Sequence, residues 1–279
     1  MSWLQALIAG VIQGLTEFLP ISSSGHLVIF GALFGEEGGA DLSFTVFLHL
    51  ATLLAVIIIF RKDVWLLLRE LGGSIADILR GKPNFKSEGR RYLLLVIIAT
   101  IPAVLAGGGI KILDLDYILG NIFLVAVMLI VTAVFMFLVD RLDTGKLTRK
   151  DTPYSKALGI GLFQAAAILP GLSRSGTTIF AGALLGLKKE FAVRFAFILS
   201  IPAILGSAII ELRDVAKAGD FAVNPVNWIV GFVAAFICGF FSIIFIRVLI
   251  KSRKFYIFGI YCLAASAFAF LVGIGVIHA

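Results

Sequence analysis

Six stretches of this chain are each apolar for long enough to cross a bilayer, and that limits what the chain can fold into. They are Leu42–Phe60, Tyr92–Ile110, Ile118–Val139, Phe191–Ile210, Trp228–Ile250 and Phe255–Ile277. A spanning helix needs about 20 apolar residues, because backbone N–H and C=O groups inside lipid must find their partners within the segment. Composition agrees: 60% of the 279 residues are hydrophobic and 15% charged, against roughly 45–50% and about 25% in a soluble domain. So little polar surface excludes a water-soluble enzyme, a nucleic-acid-binding module and a disordered chain. The reading is an all-α, polytopic integral membrane protein.

Two further apolar regions are broken in the middle. Trp3–Leu19 stops at Pro20, passes through Ser22-Ser23-Ser24-Gly25 and resumes as Leu27–Phe34. Ala157–Leu169 stops at Pro170, passes through Ser173-Arg174-Ser175-Gly176 and resumes as Thr178–Leu187. Proline ends one helix and a serine caps the next. The resumed pieces are too short to span. Each region is therefore expected to be a re-entrant helix hairpin, with its irregular tip buried in protein or lining a wet cavity.

Charge sorts the loops. Of 24 Lys and Arg residues, 20 fall in segments 61–91, 141–156, 188–194 and 247–254, and only Lys111, Arg213 and Lys217 fall on the other side of the spans. The positive-inside rule makes the first side cytoplasmic. Glu36, Glu37, Asp41, Asp114, Asp116, Glu211, Asp214 and Asp220 then face outward, the first hairpin enters from outside and the second from the cytoplasm. The net charge of +7 belongs to loops facing an anionic leaflet, not to a nucleic-acid surface. Val64–Leu79 has the amphipathic pattern of a helix lying on the membrane or of a solvated loop helix. The first cation is Arg61, so Met1 onward is read as mature chain. Cys238 and Cys262 read as small buried side chains with no disulfide or metal spacing.

An internal repeat links the broken segments. Gln13, Ser22, Ser24, Gly25, Gly31, Ala32 and Gly35 recur as Gln164, Ser173, Ser175, Gly176, Gly182, Ala183 and Gly186, always 151 positions on. Residues 1–150 then form one repeat, hairpin 1–35 plus three spans. Residues 151–279 form a second, hairpin 155–187 plus three spans, within one integrated membrane domain. Three spans is an odd number, so the second repeat is inverted. Inverted repeats bring two broken helices together near the midplane, where substrate sites form. The likeness of Thr100-Ile101-Pro102-Ala103 to Ser200-Ile201-Pro202-Ala203 lies at an offset of 100 and is read as coincidence.

The polar residues of the hairpins are the candidates for chemistry. Glu17 and Arg174 are the charged groups inside them, and an ionisable group at that depth is costly and functional by default; capping at an interface is the plain alternative. Gln13 lies one helical turn before Glu17, on the same face. The two could hold a divalent cation through oxygens, or Glu17 could act as a general base. Two Ser-rich helix starts offer unpaired N–H groups and positive dipole ends, and with an Arg fork they suit a diphosphate. His26 is placed to reach the Ser22 or Ser23 hydroxyl, activating a serine or taking the phosphoryl group itself. Thr178, one turn beyond Arg174, either orients it or bonds a phosphate oxygen. His49, mid-span beside Thr52, reads as a structural histidine.

Gln13-Gly14-Leu15-Thr16-Glu17-Phe18-Leu19-Pro20 with Ser22-Ser23-Ser24-Gly25-His26, and Pro170-Gly171-Leu172-Ser173-Arg174-Ser175-Gly176-Thr177-Thr178, resemble the two signatures of the bacterial undecaprenyl-diphosphate phosphatases, the bacitracin-resistance family. The resemblance covers essentially the whole chain. It implies a multi-pass enzyme of the bacterial inner membrane, opening to the periplasm, that removes the terminal phosphate of undecaprenyl diphosphate. That activity would recycle the lipid carrier for peptidoglycan synthesis and confer bacitracin resistance. It implies dependence on Mg²⁺ or Ca²⁺, with Gln13 and Glu17 in the position of the family's acidic motif; Gln13 is its uncharged form. It implies Glu17, Ser23, His26 and Arg174 as catalytic residues. Gln13, Ser22, Ser24, Gly25, Ser173, Ser175, Gly176 and Thr178 then complete the substrate site. The nucleophile stays open among Ser23, His26 and water. The expected partners are the polyprenyl diphosphate and the bilayer, with a homodimer left open. The competing class is an inverted-repeat transporter or flippase of a phosphate-bearing lipid.

Overall fold

The computed structural model describes residues 2–38, 42–81, 87–113, 119–142, 145–218 and 224–277, with side chains described throughout except at 34–38, 42, 214–218 and 251. Asp41, Asp114, Asp116, Ile118 and Asp220 lie outside the described residues, as do the side chains of Glu36, Glu37 and Asp214. The described chain is built of helices: α1 (Trp3–Phe18), α2 (Ser23–Gly38), α3 (Leu42–Ile59), α4 (Arg61–Leu79), α5 (Glu88–Ile112), α6 (Ile122–Arg141), α7 (Tyr154–Ala166), α8 (Arg174–Leu184), α9 (Lys189–Ala218), α10 (Pro225–Leu249) and α11 (Tyr256–Gly273).

Helices α5, α6, α9, α10 and α11 are long and apolar enough to cross a membrane. The sixth span is α3, which turns through 91° into α4. That turn settles the amphipathic segment. With α3 along the bundle, α4 runs across it, and its Trp65, Leu68, Leu71 and Ile75 are exposed on one face. Its polar face is tied to the bundle: Arg90 of α5 donates to Asp77 at 2.6 Å and meets Glu70 at 3.4 Å. A helix with an apolar face open and a charged face engaged lies in the plane of the interface.

The two broken regions are helix pairs, α1–α2 and α7–α8. Their second helices begin earlier than the apolar pattern suggests, because Ser23-Ser24 and Arg174-Ser175 occupy first turns instead of preceding loops. Ser22 Oγ accepts from Gly25 N at 3.3 Å, and Ser173 Oγ accepts from Gly176 N at 3.1 Å. One capping bond is thus made twice, 151 residues apart.

Packing around these pairs is reciprocal. α1 lies along α10, α7 lies along α5, and α6 and α11 pack on each other. The approach is closest where side chains vanish. A Cβ on Gly10 would sit 2.4 Å from the Gly231 carbonyl oxygen, one on Gly14 2.6 Å from that of Ala235, and one on Gly161 2.4 Å from that of Ala99. In lipid, where apolar burial does not drive helices together, such small-residue contacts let backbones pack by dispersion. A large side chain in this seam forces α1 off α10. Gly14→Leu is expected to destabilise the protein by about 1–3 kcal/mol or more, read as a lowered Tm in detergent; an unchanged Tm would count against the close approach.

Candidate active site at the crossed hairpin tips

The last two turns of α1 carry Gln13 and Glu17 inward, both buried. Pro20 then ends the helix, and the chain reverses through Ser22. Ser22 sits at φ +70°, a left-handed conformation uncommon for a side chain other than glycine, Asn or Asp. Gly171 takes φ +90° in the second tip, where a Cβ would strike the Val125 carbonyl oxygen at 2.4 Å. The tips cross in a paired way. A Cβ on Gly25 would lie 3.0 Å from Gly171 Cα, and one on Gly176 would lie 3.1 Å from Pro20 Cβ. Pro20 and Gly171 are themselves equivalent under the 151-residue offset, as are Gly25 and Gly176. Each tip is also held by the last span of the other half. Thr132 of α6 donates to the Gly171 carbonyl at 2.9 Å and accepts from Ser173 N at 3.0 Å, while Cys262 Sγ of α11 approaches the Pro20 carbonyl at 3.7 Å.

At the crossing, the two hairpins share a carboxylate. Glu17 Oε2 accepts from Ser23 Oγ at 2.6 Å and from Gln13 Nε2 at 2.8 Å. Glu17 Oε1 accepts from Arg174 Nη2 across 157 positions of sequence. His49 Nε2 of α3 stands 3.7 Å from Glu17 Oε2, and its Nδ1 lies 2.9 Å from the Thr45 carbonyl. The carboxylate is 4% exposed and the guanidinium 21%, so the open side of the pair belongs to Arg174. A buried carboxylate is tolerable only when paired and hydrogen-bonded, and both conditions are met here. Phe18, beside Glu17 in sequence, packs edge-on against Phe197 of α9, with ring centroids 5.6 Å apart.

Accessibility divides the expected site residues into two groups. Ser23, Ser24, His26 and Arg174 retain exposed surface. Gln13, Ser22, Gly25, Ser173, Ser175, Gly176 and Thr178 are buried. The Ser22 and Ser24 hydroxyls are 3.3 Å apart, those of Ser173 and Ser175 are 3.1 Å apart, and Ser175 Oγ donates to the Leu19 carbonyl at 3.2 Å. Thr178 Oγ1 donates to the Arg174 carbonyl at 2.8 Å. It therefore braces the backbone of Arg174, and its hydrogen is committed there. These groups shape the tips more than they offer themselves to a ligand.

His26 departs from expectation. Its Nδ1 lies 2.7 Å from the Ser22 carbonyl and its Nε2 lies 2.8 Å from Tyr261 Oη of α11, so neither nitrogen is on a serine hydroxyl. One turn after an N-cap, the nearest acceptor for the ring is the cap's own carbonyl. The sequence reading missed His49 and Tyr261. An imidazole in an apolar span is itself the signal for His49; nothing in the sequence pairs Tyr261 with His26.

As arranged, this donor set does not fit a resident divalent cation. Glu17 is its one carboxylate, and both of its oxygens are engaged by donors. Gln13 presents its amide N–H₂ to Glu17, while its buried Oε1 is left without a partner. Arg174 already brings positive charge to the pair. Among the described residues, no group of three His, Cys, Asp or Glu side chains is placed to hold a metal. Equilibrium dialysis of the lipid-free protein against Ca²⁺ is expected to return no stoichiometric uptake; one ion per chain would show that the donors rearrange.

A polytopic helical membrane protein with a carboxylate–guanidinium pair at two crossed hairpin tips is the class these features define. The model of the bacitracin resistance protein BacA family matches residues 6–268, and the chain belongs to that family. Its relatives cover nearly the same length. It is 42% identical over 274 residues to an undecaprenyl-diphosphatase of Methanobrevibacter smithii, covering 97% of this chain and 98% of that one. It is 39% identical over 264 residues to one of Methanosphaera stadtmanae (93% and 94% covered) and 38% identical over 264 residues to one of Alkaliphilus metalliredigens (94% and 95% covered).

Proposed function

We propose that this protein is a membrane phosphatase that hydrolyses undecaprenyl diphosphate to undecaprenyl phosphate and inorganic phosphate. The observation that carries the reading is the Ser23–Glu17–Arg174 chain: a hydroxyl donating to a buried carboxylate whose other oxygen is held by an arginine. A nucleophile within hydrogen-bond reach of a base, with that base oriented by a third group, is the arrangement for activated attack. Of the three candidate nucleophiles, this favours Ser23, with Glu17 and not His26 as its base.

The chemistry follows from these positions. The diphosphate enters at the tips with its terminal phosphate against the exposed edge of Arg174 and the N–H groups of Ser23 and Ser24 at the start of α2, ahead of the Gly25 N–H that Ser22 caps. Ser23 Oγ attacks phosphorus as its proton passes to Glu17. The anhydride P–O bond opposite breaks, and undecaprenyl phosphate leaves. Glu17 releases that proton to solvent once the lipid monophosphate has left. Water then attacks the phosphoserine, its proton passing to Glu17 and on to Ser23 Oγ as the Ser–O–P bond breaks, and inorganic phosphate is released. Arg174 meets the charge spread over the equatorial oxygens during both transfers. The Mg²⁺ or Ca²⁺ dependence that family resemblance implies is read as a counter-ion that the diphosphate brings, part of the substrate.

The polyprenyl tail is read as lying against the apolar spans. Regeneration of the monophosphate carrier for cell-wall precursors, with bacitracin resistance as its consequence, follows from this activity. The charge split favours a site that opens to the outer face. We read residues 1–150 and 151–279 as inverted repeats, supported by the doubled caps and the exchanged tip contacts. Those contacts equally suit a carrier of phosphate-bearing lipids, and one assay separates the two. Detergent-solubilised protein has no second compartment, so phosphate release from undecaprenyl diphosphate supports the phosphatase and its absence supports the carrier. Arg174→Ala is expected to abolish release while leaving a folded protein, and wild-type turnover in that variant would remove this site. His49→Ala is expected to lower kcat by about 10²-fold, the scale of one positioned donor or acid–base group; unchanged kcat would return His49 to a structural role.

A further inference from the structure

A cavity of about 600 Å³ opens at the opposite end of α3 from its start, at the corner where α3 becomes α4. It is separate from the hairpin site: Phe60, on its wall, is 11 residues beyond His49, about 16 Å along the helix. The corner supplies Arg61 and Lys62, the first turns of α9 supply Arg194, and the last turn of α10 supplies Arg247. Asp63 and Glu190 are the carboxylates that line it. Asp63 is spent, since Arg194 donates to its Oδ2 through Nε at 2.8 Å and Nη2 at 2.5 Å. Among the described residues, Arg61, Lys62 and Arg247 have no carboxylate within ion-pair distance. Arg61 reaches only the Ile58 carbonyl at 3.5 Å, and Arg247 lies over the Phe60 ring at 5.7 Å. Three cations thus face Glu190 alone.

Two further observations say what these cations meet. The interfacial placement of α4, with Trp65, Leu68 and Leu71 outward, puts its first residues at headgroup depth. The rest of the cavity wall is apolar and runs onto the outer face of α10, where Ile244 and Val248 are exposed and continuous with Phe241 and Phe245. A cationic mouth at headgroup depth above an apolar, lipid-facing ridge matches an amphiphile with a phosphate head and an acyl tail. We propose that this cavity binds an anionic phospholipid, its phosphate on Arg61, Lys62 and Arg247 and one acyl chain along α10. The site lies on the cation-rich side of the bundle and acts independently of hydrolysis.

The test measures binding of dioleoyl phosphatidylglycerol to purified full-length protein by native mass spectrometry, with dioleoyl phosphatidylcholine and inorganic phosphate as comparisons. Phosphatidylglycerol is expected to bind tightly, phosphatidylcholine weakly, and inorganic phosphate only at millimolar levels. The triple variant Arg61→Gln, Lys62→Gln, Arg247→Gln is expected to lose phosphatidylglycerol affinity by on the order of 100-fold, about fivefold for each surface cation, with unchanged phosphate release in phosphatidylcholine micelles. Equal binding of the two lipids, or wild-type affinity in the triple variant, would overturn the proposal. So would inorganic phosphate binding as tightly as the lipid, which would mark a free-phosphate site. If the triple variant does not fold, Arg61→Lys with Arg247→Lys carries the test. Those substitutions keep the charge and should keep the affinity within about threefold, weakening with added salt; an affinity that salt leaves unmoved would overturn it.

Discussion

The bond between Glu17 and Arg174 joins the two hairpins at the buried centre of their crossing, beside the tip contacts of Ser175 with Leu19 and of Gly25 with Gly171. A carboxylate at this depth, buried to 4% exposure, must be neutralised and hydrogen-bonded or the fold loses several kcal/mol. Arg174 supplies the charge, and Ser23 and Gln13 supply the remaining bonds. Because Glu17 comes from the first hairpin and Arg174 from the second, satisfying the carboxylate and assembling the site are one event. The position of the Ser23 hydroxyl follows from it, since Ser23 donates to the same oxygen that Gln13 holds.

The rest of the bundle keeps that meeting point fixed. Glycines let α1 and α7 approach α10 and α5 at backbone distance, which fixes where the hairpins stand. Thr132 and Cys262 fasten each tip from the opposite half. Equivalent scaffolding carries different chemistry. The position of Glu17 is Ile168 in the second half, that of Ser23 is Arg174, and that of His49 is Ser200, whose carbonyl lies 3.5 Å from the arginine. One half therefore contributes the hydroxyl, the carboxylate and an imidazole, and the other contributes the guanidinium.

Much of this was legible in the sequence, because a bilayer imposes length and polarity rules that a sequence displays directly. The spans, the breaks at Pro20 and Pro170, and the isolation of Glu17 and Arg174 all follow from those rules. The apolar pattern places the starts of α2 and α8 a few residues late, because a serine that caps a helix and a serine in its first turn look alike without the backbone. The roles of Thr178 and His26 were not legible for a related reason. Both side chains turn to a carbonyl one turn back, a local bond that competes with any ligand. The apolar neighbours of His49 point to a structural histidine, whereas its partner is 32 residues away in sequence and adjacent only once α3 packs beside α1. Tyr261 is 235 positions from His26, and no pattern in either segment announces the pair.

The claim that the two hairpins are joined through this buried pair is tested most directly by a double-mutant cycle. Reversible unfolding in mixed micelles is measured for Glu17→Ala, Arg174→Ala, the double variant and the wild type. If the two side chains satisfy each other, the double variant costs less than the sum of the single ones by about 2 kcal/mol or more, within the range for contacting residues. Additivity within about 0.5 kcal/mol would mean that they do not meet, and would contradict the account.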